Sequence, residues 1–334
     1  MTGRLRYVDD SLPGITRRRQ GRYWQYFDAD GKRVSDRDEI DRLNAIGLPP
    51  AYRDAWFSPD PQGHIQAIGY DDKGRKQYRY HPDFREKQEA AKYDRCRDFG
   101  MVLPKLRRRV EADLRKRKLS RDTVVAAVVR LLDSGRIRVG NEAYAQANKS
   151  YGATTLRSRH AKVAGRTVKM RFRAKSGIER ELKITDATLS RIVKRCQDLP
   201  GQHLFQYLDE AGDPHPVTST DVNDYIRTAT GEDFTAKHFR TWSASVIAFS
   251  QICAAGEEGV GLKALLEPVA EALGNTPAIS RKSYVHPRIV AAVKDAPSRR
   301  LSLHCPRASK YLSSAERWLI AFLGRRTGRK RKAA

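Results

Sequence analysis

The chain has no CxxC pair, no HExxH and no long apolar run. Its four cysteines, Cys96, Cys196, Cys253 and Cys305, are scattered, so neither a zinc site nor a disulfide framework is expected and they read as reduced thiols. The eight histidines show no metal-ligand spacing, which leaves metal chemistry without support. No apolar stretch approaches the roughly 18 residues of a membrane-spanning helix. The opening "MTGRLRYVDDSLPG" lacks the apolar middle of a signal peptide. The expectation is a cytoplasmic protein. The glycine-rich "GEEGVGLKALL" falls short of a phosphate-binding loop, because its lysine comes one place late and Ala264 stands where Ser or Thr would bind magnesium. No nucleotide site is expected.

Acidic residues are also scarce: 39 Asp and Glu face 65 Lys and Arg, a formal charge of +26. A surplus of that size attracts a polyanion, most commonly nucleic acid, with counterion release driving the binding and salt weakening it. An anionic membrane surface could use the same charge. The 334 residues, 40% of them hydrophobic, give room for a real core and suggest about two domains.

The pattern of the chain is mixed. Near the start, "GLPP", "SPDPQG" and "DDKG" punctuate strand-like runs. In "HIQAIGYDDKGRKQYRYH" two such runs flank Asp71-Asp72-Lys73-Gly74, which predicts a β-hairpin. From "FREKQEAAKYDRCRDFG" the pattern is helical. In "SRDTVVAAVVRLLDSG" Ser120 caps a helix, Val124, Val128, Leu131 and Leu132 recur at helical spacing, and Gly135 ends it. One β insertion follows: Val168, Met170 and Phe172 alternate, Lys175-Ser176-Gly177 turns, and Ile178, Leu182 and Ile184 resume.

In "TAKHFRTWSASVIAFSQIC" Thr235 is a cap and Phe239, Trp242, Val246, Phe249 and Ile252 form a buried stripe. Lys237 and Arg240 then share a polar face away from it. Asn275-Thr276-Pro277 reads as a cap followed by a first-turn proline, with Asn275 a candidate cap. The expected class is α+β: a β-rich domain over 1–88, a mainly α-helical domain over 89–298 with a β-hairpin insertion, and a helical extension over 299–334. The extension ends in the basic, disordered arm "RRTGRKRKAA".

The stretch "GNTPAISRKSYVHP" sets Tyr284 among Ser280, Arg281, Lys282 and His286. Such an aromatic is commonly half buried at a helix surface. A phenol of ordinary pKa, about 10, is a weak nucleophile at neutral pH, so a tyrosine that attacks phosphate needs positive groups beside it. The phosphate oxygens need fixed donors, for which guanidinium forks are best suited. Arg138 follows the Ser120-capped helix, Arg240 lies on the Phe239 helix, and Lys175 sits at a hairpin tip from which it could deliver a proton to a leaving oxygen. Composition and spacing alone do not lift these three above the other basic residues.

Five segments in order do so: "GLPPAYRDAWFSPDPQGHIQAIGYDDKGRKQYRYHPDFR", "IRVGNEAYAQANKSYGATTLRSRH", the Lys175 hairpin, "KHFRTWSAS" and "GNTPAISRKSYVHP". Together they resemble the type IB DNA topoisomerases of the small poxvirus and bacterial kind, over most of the chain. The resemblance implies that Tyr284 attacks a DNA phosphate and becomes a 3′-phosphotyrosyl ester, that Arg138 and Arg240 contact that phosphate, and that Lys175 protonates the departing 5′ oxygen. Nine residues before the nucleophile the family often has histidine. Asn275 stands there instead; its amide can donate a hydrogen bond but cannot titrate, so the implied role is binding.

Lys237 occupies the position where the related tyrosine recombinases and integrases usually carry histidine, which favours the topoisomerase branch. It is either a phosphate-side contact or a surface lysine. Gln77, Tyr78, Tyr80 and Tyr144 match DNA-touching positions of the poxvirus-like enzymes. Tyr78 and Tyr80 alternate onto one strand face, which suits core packing equally well, while Arg75, Lys76 and Arg79 supply charge around them.

The implied protein is a monomer that closes as a clamp around duplex DNA and relaxes positive and negative supercoils by transient single-strand cleavage. It would need no nucleotide, metal or other cofactor and would have no membrane partner. Its place would be the cytoplasm, on the nucleoid. The rivals are a tyrosine recombinase and a non-enzymatic basic DNA-binding protein.

Overall fold

The computed structural model describes residues 4–325 except 73, 257 and 296–305. Two compact units, Met1–Lys92 and Tyr93–Ala334, divide the chain. The first holds β1 (Ile15–Gln20), β2 (Tyr23–Phe27), α1 (Arg37–Ala45), β3 (Arg53–Phe57), β4 (Ile65–Tyr70) and β5 (Lys76–Tyr80). The strands form one antiparallel sheet in the order β2-β1-β3-β4-β5. Ile15, Tyr26, Leu43, Leu48, Phe57 and Ala67 make its core. The expected hairpin is β4–β5, closed by the Gly74 N–H on Asp71 O at 2.8 Å, with Gly74 left-handed at φ +69°. Lys73 of that turn lies outside the described residues.

α2 (Pro82–Arg115) begins in the first unit and ends in the second, which continues with α3 (Arg121–Gly135) and α4 (Glu142–Asn148). Next come β6 (Ala161–Ala164), β7 (Thr167–Arg173), β8 (Glu179–Thr185), α5 (Ala187–Gln197), β9 (Gln206–Leu208) and β10 (Pro214–Pro216). The rest is α6 (Ser219–Thr230), α7 (Ala236–Ala255), α8 (Leu262–Leu273), α9 (Pro277–Ser283), α10 (Pro287–Asp295) and α11 (Ser314–Gly324). No helix of the described residues is long and apolar enough to cross a membrane. Cys305 and the tail beyond Arg325 lie outside the described residues.

The expected β-hairpin insertion is present as β7–β8, and the four-residue β6 extends it to a three-stranded sheet, β6-β7-β8, by joining β7 through a Gly165-Arg166 turn, with Ala164 opposite Thr167. α3 starts at the Ser120 cap and ends at Gly135, as expected, and the residue that follows, Arg136, is left-handed (φ 54°). One sequence reading needs correction. α7 has no solvent-facing polar side at Arg240. The helix packs against α3, α8, α10 and α11, and Arg240 is only 5% exposed.

α11 is held onto α7 by a buried charge cluster. Arg107 of α2 donates to Asp133 and to both oxygens of Glu316, and Trp242 Nε1 donates to Glu316 Oε1 at 3.1 Å. Removing one member of such a cluster strands the others without water. Glu316→Ala is expected to lower the unfolding free energy by about 3–5 kcal/mol, read by denaturant melting. An unchanged midpoint would show that the cluster contributes nothing.

Candidate active site

The segment after α3 is fixed by its backbone. Ala153 N–H donates to Arg138 O at 2.9 Å and Thr154 N–H to Val139 O at 2.7 Å. A Cβ on Gly152 would stand 2.6 Å from Arg138 O and from Gly140 N, so only glycine permits this approach. The backbone at Arg138 is thereby fixed, and the Arg138 Nη2 reaches Tyr284 Oη at 3.4 Å and Asn275 Oδ1 at 3.3 Å.

Tyr284 closes the short helix α9. Thr276 Oγ1 caps that helix by accepting from Ile279 N–H, with Pro277 in the first turn. Asn275 is therefore not the cap, and its amide is left to the arginines. Turned one way it accepts from Arg138. Turned the other way Oδ1 accepts from Arg240 Nη2 at 3.0 Å while Nδ2 donates to Gly274 O at 3.2 Å, and this second orientation satisfies both ends of the amide. Past the tyrosine, Ser245 Oγ of α7 accepts from His286 N–H at 3.1 Å, which fixes the exit of the chain.

Arg240 is anchored through Nη1 to Arg136 O at 2.7 Å and through Nη2 to Leu273 O at 3.1 Å. Its guanidinium carbon lies 4.8 Å from the centroid of the Tyr284 ring, and its buried Nε has no partner. Burial pushes the guanidinium down to about 10; Tyr284 opposes this, and the charges of Arg138 and Arg180 add to it.

These groups line an open pocket of about 510 Å³ with Lys175, Lys237, Arg180 and Tyr144. Five cations and no carboxylate face it, so it is built for an anion. Lys175 is carried there by a turn with two left-handed residues, Ser176 (φ 65°) and Gly177 (φ 77°); it is exposed and has no ion pair among the described residues. Lys237, also exposed, rises from the first turn of α7. Tyr144 is half-buried on α4, which Asn141 caps.

Arg180 was not anticipated. It stands on β8 at the inward phase shared with Leu182 and Ile184, and a charge at an apolar phase was the signal that could have found it.

The remaining sequence candidates, Gln77, Tyr78 and Tyr80, belong to the first unit and do not line this pocket. Tyr78 and Tyr80 are each 40% exposed and stack with ring centroids 5.7 Å apart. They face solvent rather than the core. Gln77 points the other way and donates to Asp71 Oδ2 at 3.0 Å.

No histidine lines the pocket. His238 and His286 are core residues whose imidazoles burial pushes down to about 4. Their unfolded values are near 6.5, so the unfolded chain binds more protons between pH 6.5 and 4, and stability falls as pH drops through that window. Between pH 7 and pH 5 the pair is expected to cost the fold about 4 kcal/mol, a melting temperature lower by on the order of 10 °C. A flat melting curve over that range would contradict their burial as neutral groups. Among the described residues no group of three or more His, Cys, Asp or Glu is placed to hold a metal ion.

Residues 81–298 match the family described as eukaryotic DNA topoisomerase I, catalytic core, and residues 23–71 the family described as bacterial DNA topoisomerase IB, N-terminal domain. DNA topoisomerase 1B of Acanthamoeba polyphaga mimivirus is 32% identical over 287 residues, 82% of this chain and 85% of that protein. DNA topoisomerase 1 of Mycosarcoma maydis is 24% identical over 222 residues, 59% of this chain but 22% of that longer protein. Among solved structures, XerH site-specific recombinase bound to palindromic difH substrate shares 15% identity at a TM-score of 0.37, covering 57% of this chain and 51% of that one.

Proposed function

The chain belongs to the type IB DNA topoisomerase family, and from that premise we propose that it relaxes positively and negatively supercoiled DNA by transient cleavage of one strand. Tyr284 Oη attacks a backbone phosphorus in line and loses its proton to solvent. The P–O5′ bond breaks, Lys175 gives its proton to the departing 5′ oxygen, and the strand is held as a 3′-phosphotyrosyl ester. Arg138 and Arg240 neutralise the two non-bridging oxygens as charge accumulates on them, and Asn275 donates a further hydrogen bond. After the duplex rotates, the 5′ hydroxyl attacks the ester and the steps reverse. One phosphoester replaces another in each direction, so no nucleotide is consumed.

The observation that carries this reading is the Tyr284 phenol, with one guanidinium at its hydroxyl and another over its ring, in a pocket lined by five cations and no acid. Lys237 and Tyr144 at the rim, and the Tyr78–Tyr80 face in the first unit, would contact the flanking duplex, whereas Gln77, turned to Asp71, would not. The protein would act as a monomer on chromosomal DNA in the cytoplasm. A tyrosine recombinase would share the nucleophile, but the β-sheet first unit and its match to a topoisomerase IB N-terminal domain favour the topoisomerase.

Relaxation of plasmids of either sign by the purified protein, in EDTA and without ATP, tests the proposal. A protein that binds the plasmid and leaves its linking number unchanged is not a topoisomerase.

A further inference from the structure

Arg180 occupies a place where the β7–β8 hairpin would otherwise bury an apolar side chain. Its cross-strand partner is Phe172, 3% exposed, and its strand continues on the same face with Leu182 and Ile184. The guanidinium reaches out of the sheet to the end of α8. Nη1 donates to Glu271 O and Nη2 to Ala272 O, both at 2.8 Å.

A helix leaves its last four carbonyls unpaired, and at α8 each finds a donor. Ala270 O accepts from the Gly274 and Asn275 N–H groups and Leu273 O from Arg240, which leaves Arg180 as the side-chain donor to the two in between. The negative end of the helix dipole thus rests on two guanidiniums of the pocket. Gly274, left-handed at φ +61°, lies so close that an added Cβ would be 2.9 Å from Arg180 Nη1. Asn275 comes next, and Thr276 then opens the helix that ends at Tyr284. One side chain therefore ties the hairpin that bears Lys175 to the turn that starts the Asn275–Tyr284 segment.

We propose that Arg180 is a positioning residue of the transesterification, holding the Lys175 hairpin in register with Asn275 and Tyr284 so that Lys175 meets the leaving 5′ oxygen. Both of its Nη groups already donate to carbonyls, so it acts through Lys175 and not on the phosphate. The inference rests on the topoisomerase reading above.

The test compares single-turnover cleavage of an ordinary duplex with that of one whose scissile 5′ bridging oxygen is sulfur. A thiolate departs without a proton, so a defect in delivering that proton vanishes on the sulfur substrate. Arg180→Met is expected to slow cleavage of the oxygen substrate about 10²-fold, the cost of a misplacement near 1 Å, and to cleave the sulfur substrate within a few-fold of the wild type. Arg180→Lys, which keeps the charge but can hold only one carbonyl, should fall between the two. It decides alone if the methionine variant does not fold. Equal slowing on both substrates assigns Arg180 a merely structural role, and wild-type rates on both remove any role; either overturns the proposal. If the wild type cleaves neither substrate, the topoisomerase reading itself falls, and this proposal with it.

Discussion

Tyr284→Phe is expected to bind supercoiled plasmid as the wild type does and to leave it supercoiled, with no protein–DNA adduct after rapid denaturation. The substitution is narrow. Phenylalanine keeps the ring, which packs against the main core of the second unit and lies 4.8 Å from the Arg240 guanidinium. It gives up the hydroxyl and its long contact with Arg138 at 3.4 Å, worth about 1 kcal/mol to the fold. The melting temperature should therefore barely move, whereas cleavage loses its nucleophile and should fall by on the order of 10⁵-fold or more. End-labelled DNA that stays covalently attached to the variant would place the nucleophile elsewhere, and Tyr144 and Tyr151, which line the same pocket, would be the next to test. Binding without relaxation by both proteins would favour the non-enzymatic reading.

What the sequence carried legibly was local. The Ser120 and Thr235 caps, the turn at Lys175-Ser176-Gly177 and the Phe239–Trp242–Phe249 stripe are each set by neighbours a few residues apart, and each is present. Arg240 shows where that logic stops. Periodicity says that one face of α7 is apolar, but nothing in it reveals that other helices enclose the opposite face, or that carbonyls of Arg136 and Leu273 satisfy the guanidinium there. Arg136 itself takes a left-handed conformation, uncommon for a residue with a Cβ. Strand alternation put Tyr78 and Tyr80 on one face without saying which way it points; β5 lies at the sheet edge with that face in solvent.

The pocket was legible in yet another way. Arg138, Lys175, Arg240, Asn275 and Tyr284 come from separate elements, and only the resemblance to a family singled out its three bases from 65. Arg180 had no counterpart in that resemblance. Its one mark in the sequence, a charge at an inward strand position, is a purely physical signal.

The second large effect separates two arginines that share a charge but not a setting. Arg138→Ala should slow cleavage by about 10²–10³-fold, the usual cost of removing one fixed donor from a developing oxyanion, and lower the melting temperature only slightly, since its guanidinium contacts are long, at 3.3 and 3.4 Å. Arg240→Met should lose at least as much activity, and its effect on stability is the informative part. Burial, with the neighbouring arginines, lowers this guanidinium to about 10, a net penalty of a few kcal/mol on its charged form. Two charge-assisted bonds to carbonyls return an amount of the same order. The terms nearly cancel, so Arg240→Met should change the unfolding free energy by less than about 2 kcal/mol, in contrast to Glu316→Ala. An anion in the pocket removes that balance, because it lifts the repulsion among Arg138, Arg180 and Arg240 and the gain adds to the native state alone. Rising sulfate concentration should therefore raise the melting temperature of the wild type and leave Arg240→Met much less affected. If instead Arg240→Met melts far below the wild type and both respond equally to sulfate, Arg240 serves chiefly as the cap of α8, and the phosphate must be held by other cations of the pocket.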